Sequence, residues 1–329
     1  MSTILCVPRR DARRDAVRIA AVMMAGCALV LCGSPVSGHG FVGQRFFPAT
    51  LAVDDPFVAD ELSLPTFERR KMPGSGDEAA STESAWTVDY TKRITRDFGI
   101  GVGTSYRRIS AEGADRQSGF DNLALSAKYQ LWQSEVREAI VSVGIDWDVG
   151  GSGAKRIGAE SFSTITPGLF FGKGFGDLPS EARLLRPLAL TGSIGVAFPT
   201  RASTRTVSDE GEESIEQHPN VLQWGFTLQY SVPYLQSAVA DLGWREPFNR
   251  LIPVVEFAME SPLNRGRGGT TGTVNPGLLW VGRYMQLGIE AVIPVNDRSG
   301  HHTGVLAQLH FYLDDLFPRS IGKPLLDPR

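Results

Sequence analysis

The chain has 329 residues, 42% of them hydrophobic and 21% charged, with a formal net charge of −3. This composition excludes wholesale disorder, and the slight acidic excess argues against nucleic acid as a partner. Beyond residue 38, no apolar run reaches the roughly 20 residues that a membrane-spanning helix needs, so a bundle of such helices is excluded as well.

The first 38 residues have the organisation of a secretory signal peptide. Arginines between Arg9 and Arg18 precede the uncharged run Ile19–Cys32, and small residues follow it. Val36 and Gly38 fit the positions before a cleavage site, so we expect cleavage before His39. The only three cysteines, at positions 6, 27 and 32, would leave with this leader. Disulfide scaffolds and thiol chemistry are therefore not expected in the mature chain.

Most of the remaining sequence alternates apolar residues with small or polar ones, which is the two-residue period of β-strands. In 123–131, for example, leucines and a tyrosine alternate with Ser, Lys and Gln. The pattern predicts about twelve strands near the ten residues that a tilted membrane strand needs. They lie near 57–70, 84–94, 99–106, 123–131, 141–149, 161–173, 188–198, 222–232, 250–260, 270–281, 284–295 and 305–313.

The second face of these strands carries Gly, Ser, Ala and Gln rather than the Lys and Glu of a solvent-exposed sheet. Small residues suit the interior of a closed barrel, and aromatic residues at strand ends suit membrane interfaces. We predict an all-β, antiparallel outer-membrane-type β-barrel, with a soluble secreted β-sandwich as the alternative. The chain then divides into a signal peptide (1–38), an N-terminal segment that is periplasmic, a plug or a first strand (39–83), the barrel (84–313) and a C-terminal tail (314–329).

The connections differ in length, as they do when short turns face the periplasm and longer loops face outward. Thr95–Asp97 is a tight turn, whereas 71–83 and 199–218 are long polar breaks. The stretch 233–249 predicts a longer turn with room for a short helix.

Charged residues on the inward phase of the strands are the candidates for function. They are Lys128, Asp146, Asp148, Glu256, Glu260 and Glu290, and His310 shares their orientation. In one interpretation these pore-lining side chains create a field that selects solutes; in the other they pair with one another and fill the barrel. Because five of the six charges are acidic, an open lumen would favour cations or neutral polar solutes. Phosphate-loop, zinc-helix and nucleophile-elbow motifs are absent from the sequence, so we expect a non-catalytic protein without a cofactor.

The mature N-terminus offers a second hypothesis. A free α-amine and the ring nitrogen of His39 can together chelate copper, a metal that imidazole suits. The alternative function is therefore a secreted enzyme or copper-binding protein that uses His39.

The strand alternation, the segment His39–Pro65 and the tail Phe311–Leu326 resemble uncharacterised proteobacterial outer-membrane barrels, which are loosely similar to the MetA-pathway phenol-degradation transporters. The resemblance implies a non-catalytic outer-membrane channel or transporter for small solutes. Its expected partners are the lipid bilayer, those solutes and the barrel-assembly machinery, without nucleic acid. One departure is that 17 residues follow the aromatic pair Phe311 and Tyr312, where such barrels usually end.

Overall fold

The structure, a computed structural model, describes residues 40–74, 80–111, 113–207, 213–265 and 268–326. Strands dominate it. In chain order they are β1 (Phe41–Val42), β2 (Arg45–Phe46), β3 (Glu61–Met72), β4 (Ser81–Arg93), β5 (Phe98–Ala111), β6 (Gln117–Phe120), β7 (Leu123–Ser134), β8 (Ala139–Val149), β9 (Thr164–Gly174), β10 (Leu188–Pro199), β11 (Ser203–Val207), β12 (Glu213–Gln217), β13 (Val221–Tyr230), β14 (Leu251–Pro262), β15 (Thr271–Val281), β16 (Met285–Pro294) and β17 (Gly304–Tyr312).

Twelve of these strands form a closed antiparallel barrel. Consecutive wall strands pair with each other, and β3 pairs with β17 to close the ring. The short strand β6 adds to the end of β5, while β1–β2 and β11–β12 are separate hairpins. The predicted antiparallel barrel of about twelve strands is confirmed, and a wall strand lies at each of the twelve predicted segments. The wall begins at Glu61, so it takes in part of the segment 39–83 and starts earlier than residue 84.

The two ends of the barrel differ. We call the end of the barrel at which β3 starts and β17 finishes the terminal end. We call the opposite end the distal end. The connections 94–97, 135–138 and 282–284 at the terminal end are short, whereas the distal connections 150–163 and 200–220 are long. The terminal connections 175–187 and 231–250 are exceptions, and the second holds the short helix predicted for 233–249.

The helical pieces are all brief. They are the 3₁₀ turns Lys155–Ile157, Ser180–Leu185 and Phe248–Arg250, the α-helical turns Val232–Tyr234 and Leu313–Leu316, and the π-helical turn Leu235–Val239. Within the described ranges, no helix combines the length and the apolar character required to cross a membrane.

The outer face of the barrel is apolar. Large hydrophobic side chains on alternate positions of the wall are exposed, such as Ile145 (46%), Trp147 (45%), Ile194 (45%) and Ile289 (57%). Soluble monomers rarely expose continuous apolar surfaces of this kind, whereas the lipid-facing band of a membrane barrel consists of them. The predicted outward phase of the strands is therefore the lipid-facing one.

Residues 40–60, which we call the plug, lie inside the barrel toward its terminal end. Phe46 packs with the buried wall residues Ile252, Leu279 and Tyr312, all 0% exposed. In a second cluster, Val42 and Phe47 pack with Ile140 and Ala189. The inner wall thus presents apolar side chains to the plug in these two clusters. The sequence-based expectation of an interior of small and polar residues was incomplete, because inward hydrophobic residues are needed to bury the plug.

Small residues on the inner wall make room for the plug. At these positions an added Cβ would fall on a plug side chain, so a larger residue would displace the plug or itself. The Cβ would lie 2.7 Å from Leu51 Cδ1 at Gly288, 2.8 Å from Val53 Cγ2 at Gly225, 2.9 Å from Val58 Cγ1 at Gly99 and 3.3 Å from Pro56 Cγ at Gly172. The wall and the plug are therefore complementary in shape.

Candidate functional site: the plugged lumen

Arg45 anchors the plug at the terminal end. Its side chain is fully buried, and its Nε donates to Oε2 of Glu138 at 3.1 Å. The guanidinium also donates to the carbonyl oxygens of Arg186 and Pro187 and lies 3.7 Å from the centre of the Tyr234 ring. Burial lowers the pKa of Arg45 and the Glu138 carboxylate acts in the opposite direction, so the group stays cationic. Three connections between wall strands thus converge on one plug residue.

Glu256 holds the middle of the plug. Its carboxylate accepts hydrogen bonds from the backbone N–H groups of Leu51 (2.8 Å), Ala52 (3.0 Å) and Val53 (2.7 Å). Three convergent N–H donors are a strong site for a carboxylate, and Glu256 is 0% exposed. Glu290 on β16 is 2% exposed, and it contacts the carboxyl group of Glu256 on β14. The plug therefore covers the carboxyl groups of both glutamates.

Further hydrogen bonds fix the plug along its length. Gln286 Nε2 donates to the carbonyl oxygen of Ala49 at 2.6 Å, and Tyr312 Oη donates to Gln286 Oε1 at 3.1 Å. Ser142 Oγ donates to the carbonyl oxygen of Pro56. Because Ser142 lies on β8 and Gln286 on β16, the plug is bonded to different sides of the wall.

Lys128 crosses from the wall to the plug. Its Nζ lies 2.9 Å from Oδ2 of Asp54, donates to the carbonyl oxygen of Asp55 at 2.6 Å and lies 4.5 Å from the centre of the Phe170 ring. The Phe170 ring in turn occupies the space in front of Gly144, where an added Cβ would lie 2.9 Å from it. Lys128 is therefore a paired charge at the surface of the plug.

The plug ends at Asp60, which is buried among cations. Asp60 pairs with Lys92 and with Arg93, whose Nε lies 2.8 Å from Oδ2. Lys92 also donates to the carbonyl oxygens of Ile321 and Lys323 in the C-terminal tail, and the N–H of Leu326 donates to the carbonyl oxygen of Ile94 at 2.7 Å. The tail therefore folds against the terminal end of the barrel, beside the point where the plug joins β3.

A chamber of about 590 Å³ remains between the plug and the wall. It is lined by plug residues from Ala49 to Ala59 and by the inner faces of β3, β4, β5, β7, β8 and β14–β17. A neighbouring cavity of about 520 Å³ shares Asp54 and Arg70 with it and extends to Arg298 and Ser299 at the distal end. The open volume of the lumen therefore lies on the distal side of the plug.

Acidic side chains predominate in the chamber. Lys128 pairs with Asp54, and Arg70 pairs with Glu68 at 2.8 Å. The chamber lining also contains Asp55, Glu61, Asp89 and Asp146. These additional carboxylates give the chamber an acidic excess.

The structure separates the predicted pore-lining residues into different environments. Glu256 and Glu290 are buried under the plug, and Lys128 is bonded to it. Asp146 lines the chamber, Glu260 lines the neighbouring cavity, and Asp148 is exposed nearer the distal end of β8. His310 is buried on β17, with Nδ1 2.9 Å from Ser63 Oγ and Nε2 3.6 Å from Glu61 Oε2. These residues do not form one continuous ring.

Sequence reasoning missed the plug contacts of Arg45, Asp54 and Asp60 and the chamber carboxylate Asp89. Arg45 and Asp54 lie in a segment without strand periodicity, so no phase indicated where their side chains point. Asp89 does lie on a predicted strand, and its inward phase on β4 was a signal that could have identified it. His39 and the predicted signal peptide 1–38 lie outside the described residues.

Comparison with known proteins gives a fold and no family. No family profile and no curated protein matches the chain. Among solved structures, the COG4313 outer membrane channel from Pseudomonas putida F1 is similar with a TM-score of 0.54 at 10% identity, over 81% of this chain and 99% of that chain. The NanC and KdgM porins each give a TM-score of 0.43 at 10% identity, over 76% of this chain and 98% of theirs.

The similarity to the COG4313 channel concerns the fold, and the features of this chain agree with it. The wall is a closed ring of twelve antiparallel strands, and its outer face is apolar. In barrels of this kind the shorter turns face the periplasm, which makes the terminal end the periplasmic one. The chain has the fold of a twelve-stranded outer-membrane β-barrel.

Proposed function

We propose that the protein is a channel for small solutes that its own N-terminal segment closes from the periplasmic side. The observation that supports this most directly is the position of residues 40–60. They occupy the terminal part of the lumen, held by Arg45 and Glu256, while the chamber lies on their distal side. A barrel that served only as a membrane anchor would need no chamber of this size.

The chamber suits small, polar and preferably cationic solutes. Its volume of about 590 Å³ falls in the range of small-molecule sites, roughly 300–1,000 Å³. Lys128 and Arg70 already pair with Asp54 and Glu68, and further carboxylates, including those of Asp89 and Asp146, line the chamber, so acidic side chains outnumber basic ones there. A cleft with this charge concentrates cations and repels anions.

The proposed role is non-catalytic and requires no cofactor. The polar side chains inside the barrel, such as Arg45, Glu256 and Asp146, hold the plug or line the chamber. Both roles suit a passage for solutes. Insertion would depend on the barrel-assembly machinery, which acts on the terminal strand; here that strand is β17, ending at Tyr312. The folded-back tail then occupies the periplasmic side.

Single-channel recording in planar bilayers tests the proposal. We expect small currents from the full-length barrel and at least about tenfold larger ones after deletion of residues 40–58, which removes the obstruction and keeps Asp60. Replacement of the exposed pair Arg205 and Glu213 by alanine in the distal hairpin is the control and should leave the current unchanged. Folding of each variant is checked by its heat-dependent migration on a gel.

The opposite result would be equally clear. If the deleted barrel migrates as a folded protein and conducts no more than the full-length barrel, the plug does not close a channel. Should the deletion prevent folding, Glu256→Gln provides the second test, because it keeps the plug and weakens its binding to three N–H groups. A larger current is expected from this variant, and an unchanged current would contradict the proposal.

A further inference from the structure

One sector of the outer face differs from the rest of the barrel. Across β3, β4, β5 and β6, four outward aromatic residues lie side by side in register, and we call them the aromatic row. The ring centres are 5.4 Å apart for Phe67 and Trp86, 6.3 Å for Trp86 and Tyr106, and 5.3 Å for Tyr106 and Phe120. Such a row is typical of the level at which lipid tails meet headgroups.

Cations lie immediately distal to the aromatic row. Arg69 on β3 and Arg108 on β5 both lie opposite Ser84 of β4, two residues beyond the aromatic row. Lys71 lies two residues beyond Arg69 on β3. All three side chains are exposed, and we call them the basic strip. The guanidinium of Arg108 lies 5.6 Å from the centre of the Trp86 ring. No hydrogen bond or ion pair in the described part of the chain joins the basic strip to an acidic side chain.

The basic strip is confined to this sector. In the distal half of the other described wall strands, the outward positions carry apolar, small or hydroxyl residues, such as Trp147 on β8, Phe198 on β10 and Ile293 on β16. Nearby charges on the same strands, including Arg107 with Glu83 and Asp121, lie on the inward phase and pair with each other. The cations are therefore not part of a general outward charge pattern.

We propose that the basic strip and the aromatic row bind the phosphorylated headgroup of a glycolipid in the outer leaflet. Arginine guanidinium groups match phosphate oxygens in charge and geometry, and the aromatic rings immediately on the membrane side of them provide flat surfaces for the lipid's sugar rings and upper acyl chains. Clusters of basic residues beside a membrane-spanning surface bind anionic headgroups in this way. The site is on the outer surface and does not depend on what the lumen carries.

Native mass spectrometry of the purified barrel in detergent tests the proposal, with bis-phosphorylated lipid A as the probe. We expect the wild-type protein to retain lipid A and Arg69→Gln/Arg108→Gln to bind it about tenfold more weakly or less. The matched control is Arg201→Gln/Arg205→Gln, which removes two exposed cations from the distal loop and should bind like the wild type. Dephosphorylated lipid A should bind the wild type as weakly as phosphorylated lipid A binds the double variant.

Several outcomes would overturn the proposal. They are equal binding of lipid A by the wild type and the double variant, equal binding of phosphorylated and dephosphorylated lipid A, and equal retention of phosphatidylglycerol and lipid A by the wild type. The last result would indicate a response to anionic lipid charge without recognition of the glycolipid. If the double variant does not migrate as a folded barrel, Arg108→Lys replaces it. This change keeps the charge and removes the guanidinium beside Trp86, so binding should still weaken.

Discussion

Arg45 and Glu138 form a buried ion pair between residues that are 93 positions apart, with Nε 3.1 Å from Oε2. Glu138 lies in the short turn between β7 and β8, and its carboxylate also accepts the N–H of Gly176 at 3.0 Å. The pair therefore connects the plug with two periplasmic connections of the wall. A surface ion pair would contribute little, but a buried one becomes costly when a partner is removed.

Replacement of Arg45 by alanine should release the start of the plug. The change leaves the Glu138 carboxylate buried without its cation and is expected to lower the free energy of unfolding by about 3–5 kcal/mol. Urea unfolding in lipid vesicles measures this, and limited proteolysis should cleave the variant earlier within residues 40–60. Arg205→Ala, which breaks an exposed pair, should change the unfolding free energy by no more than about 1 kcal/mol. Equal stability of the Arg45 variant and the wild type would contradict the anchoring role.

Leu51→Cys/Gly288→Cys should fix the plug in place. A Cβ on Gly288 would lie 2.7 Å from Leu51 Cδ1, so the two positions face each other closely enough to make them candidates for a disulfide. We expect voltage-induced openings in the wild type, their loss in the oxidised variant and their return after addition of a reductant. The Leu51→Cys single variant serves as a control and should open like the wild type, and the reduced double variant is the reference for the oxidised one. Normal openings with the disulfide intact would show that current passes without movement of this part of the plug.

Asp89→Asn/Asp146→Asn should reduce cation selectivity, because both carboxylates line the chamber. The reversal potential in a salt gradient is expected to shift toward the value for anions. Glu290→Gln is the matched comparison, since Glu290 is buried beneath the plug. It should leave the reversal potential of the full-length protein unchanged and shift it in the barrel that lacks residues 40–58. A shift in the full-length protein would mean that ions reach Glu290 with the plug in place.

Val143→Arg places a charge on the lipid-facing side of β8 near its middle and should cost about 2–4 kcal/mol. The amount of heat-modifiable barrel in the outer-membrane fraction should fall accordingly. Asp148→Arg changes the charge of the same strand on its inward phase, where the side chain is exposed to the lumen, and should assemble normally. Equal assembly of the two variants would be incompatible with the orientation of β8.

The wall could be predicted from the sequence because each strand carries its own alternation, and register follows from which face is apolar. Val143 and Ile145 indicate the outward phase of β8 without reference to any other strand. The plug could not be predicted in this way, because its fit depends on pairs such as Leu51 with Gly288, which are far apart in the sequence. Glu256 illustrates the limit: its inward phase was visible, but the three N–H groups that it binds belong to a segment without periodicity.

The cluster around Asp60 has a consequence for the order of assembly. Leu313, directly after the last strand, donates its N–H to the carbonyl oxygen of Asp60 at 2.9 Å, and the tail supplies carbonyl acceptors to Lys92, which also pairs with Asp60. The tail follows β17 in the chain, and it reaches this position once β17 has paired with β3. The cluster is therefore completed only after the seam between β17 and β3 has closed, and a barrel whose seam is still open would lack these contacts at the junction between plug and wall.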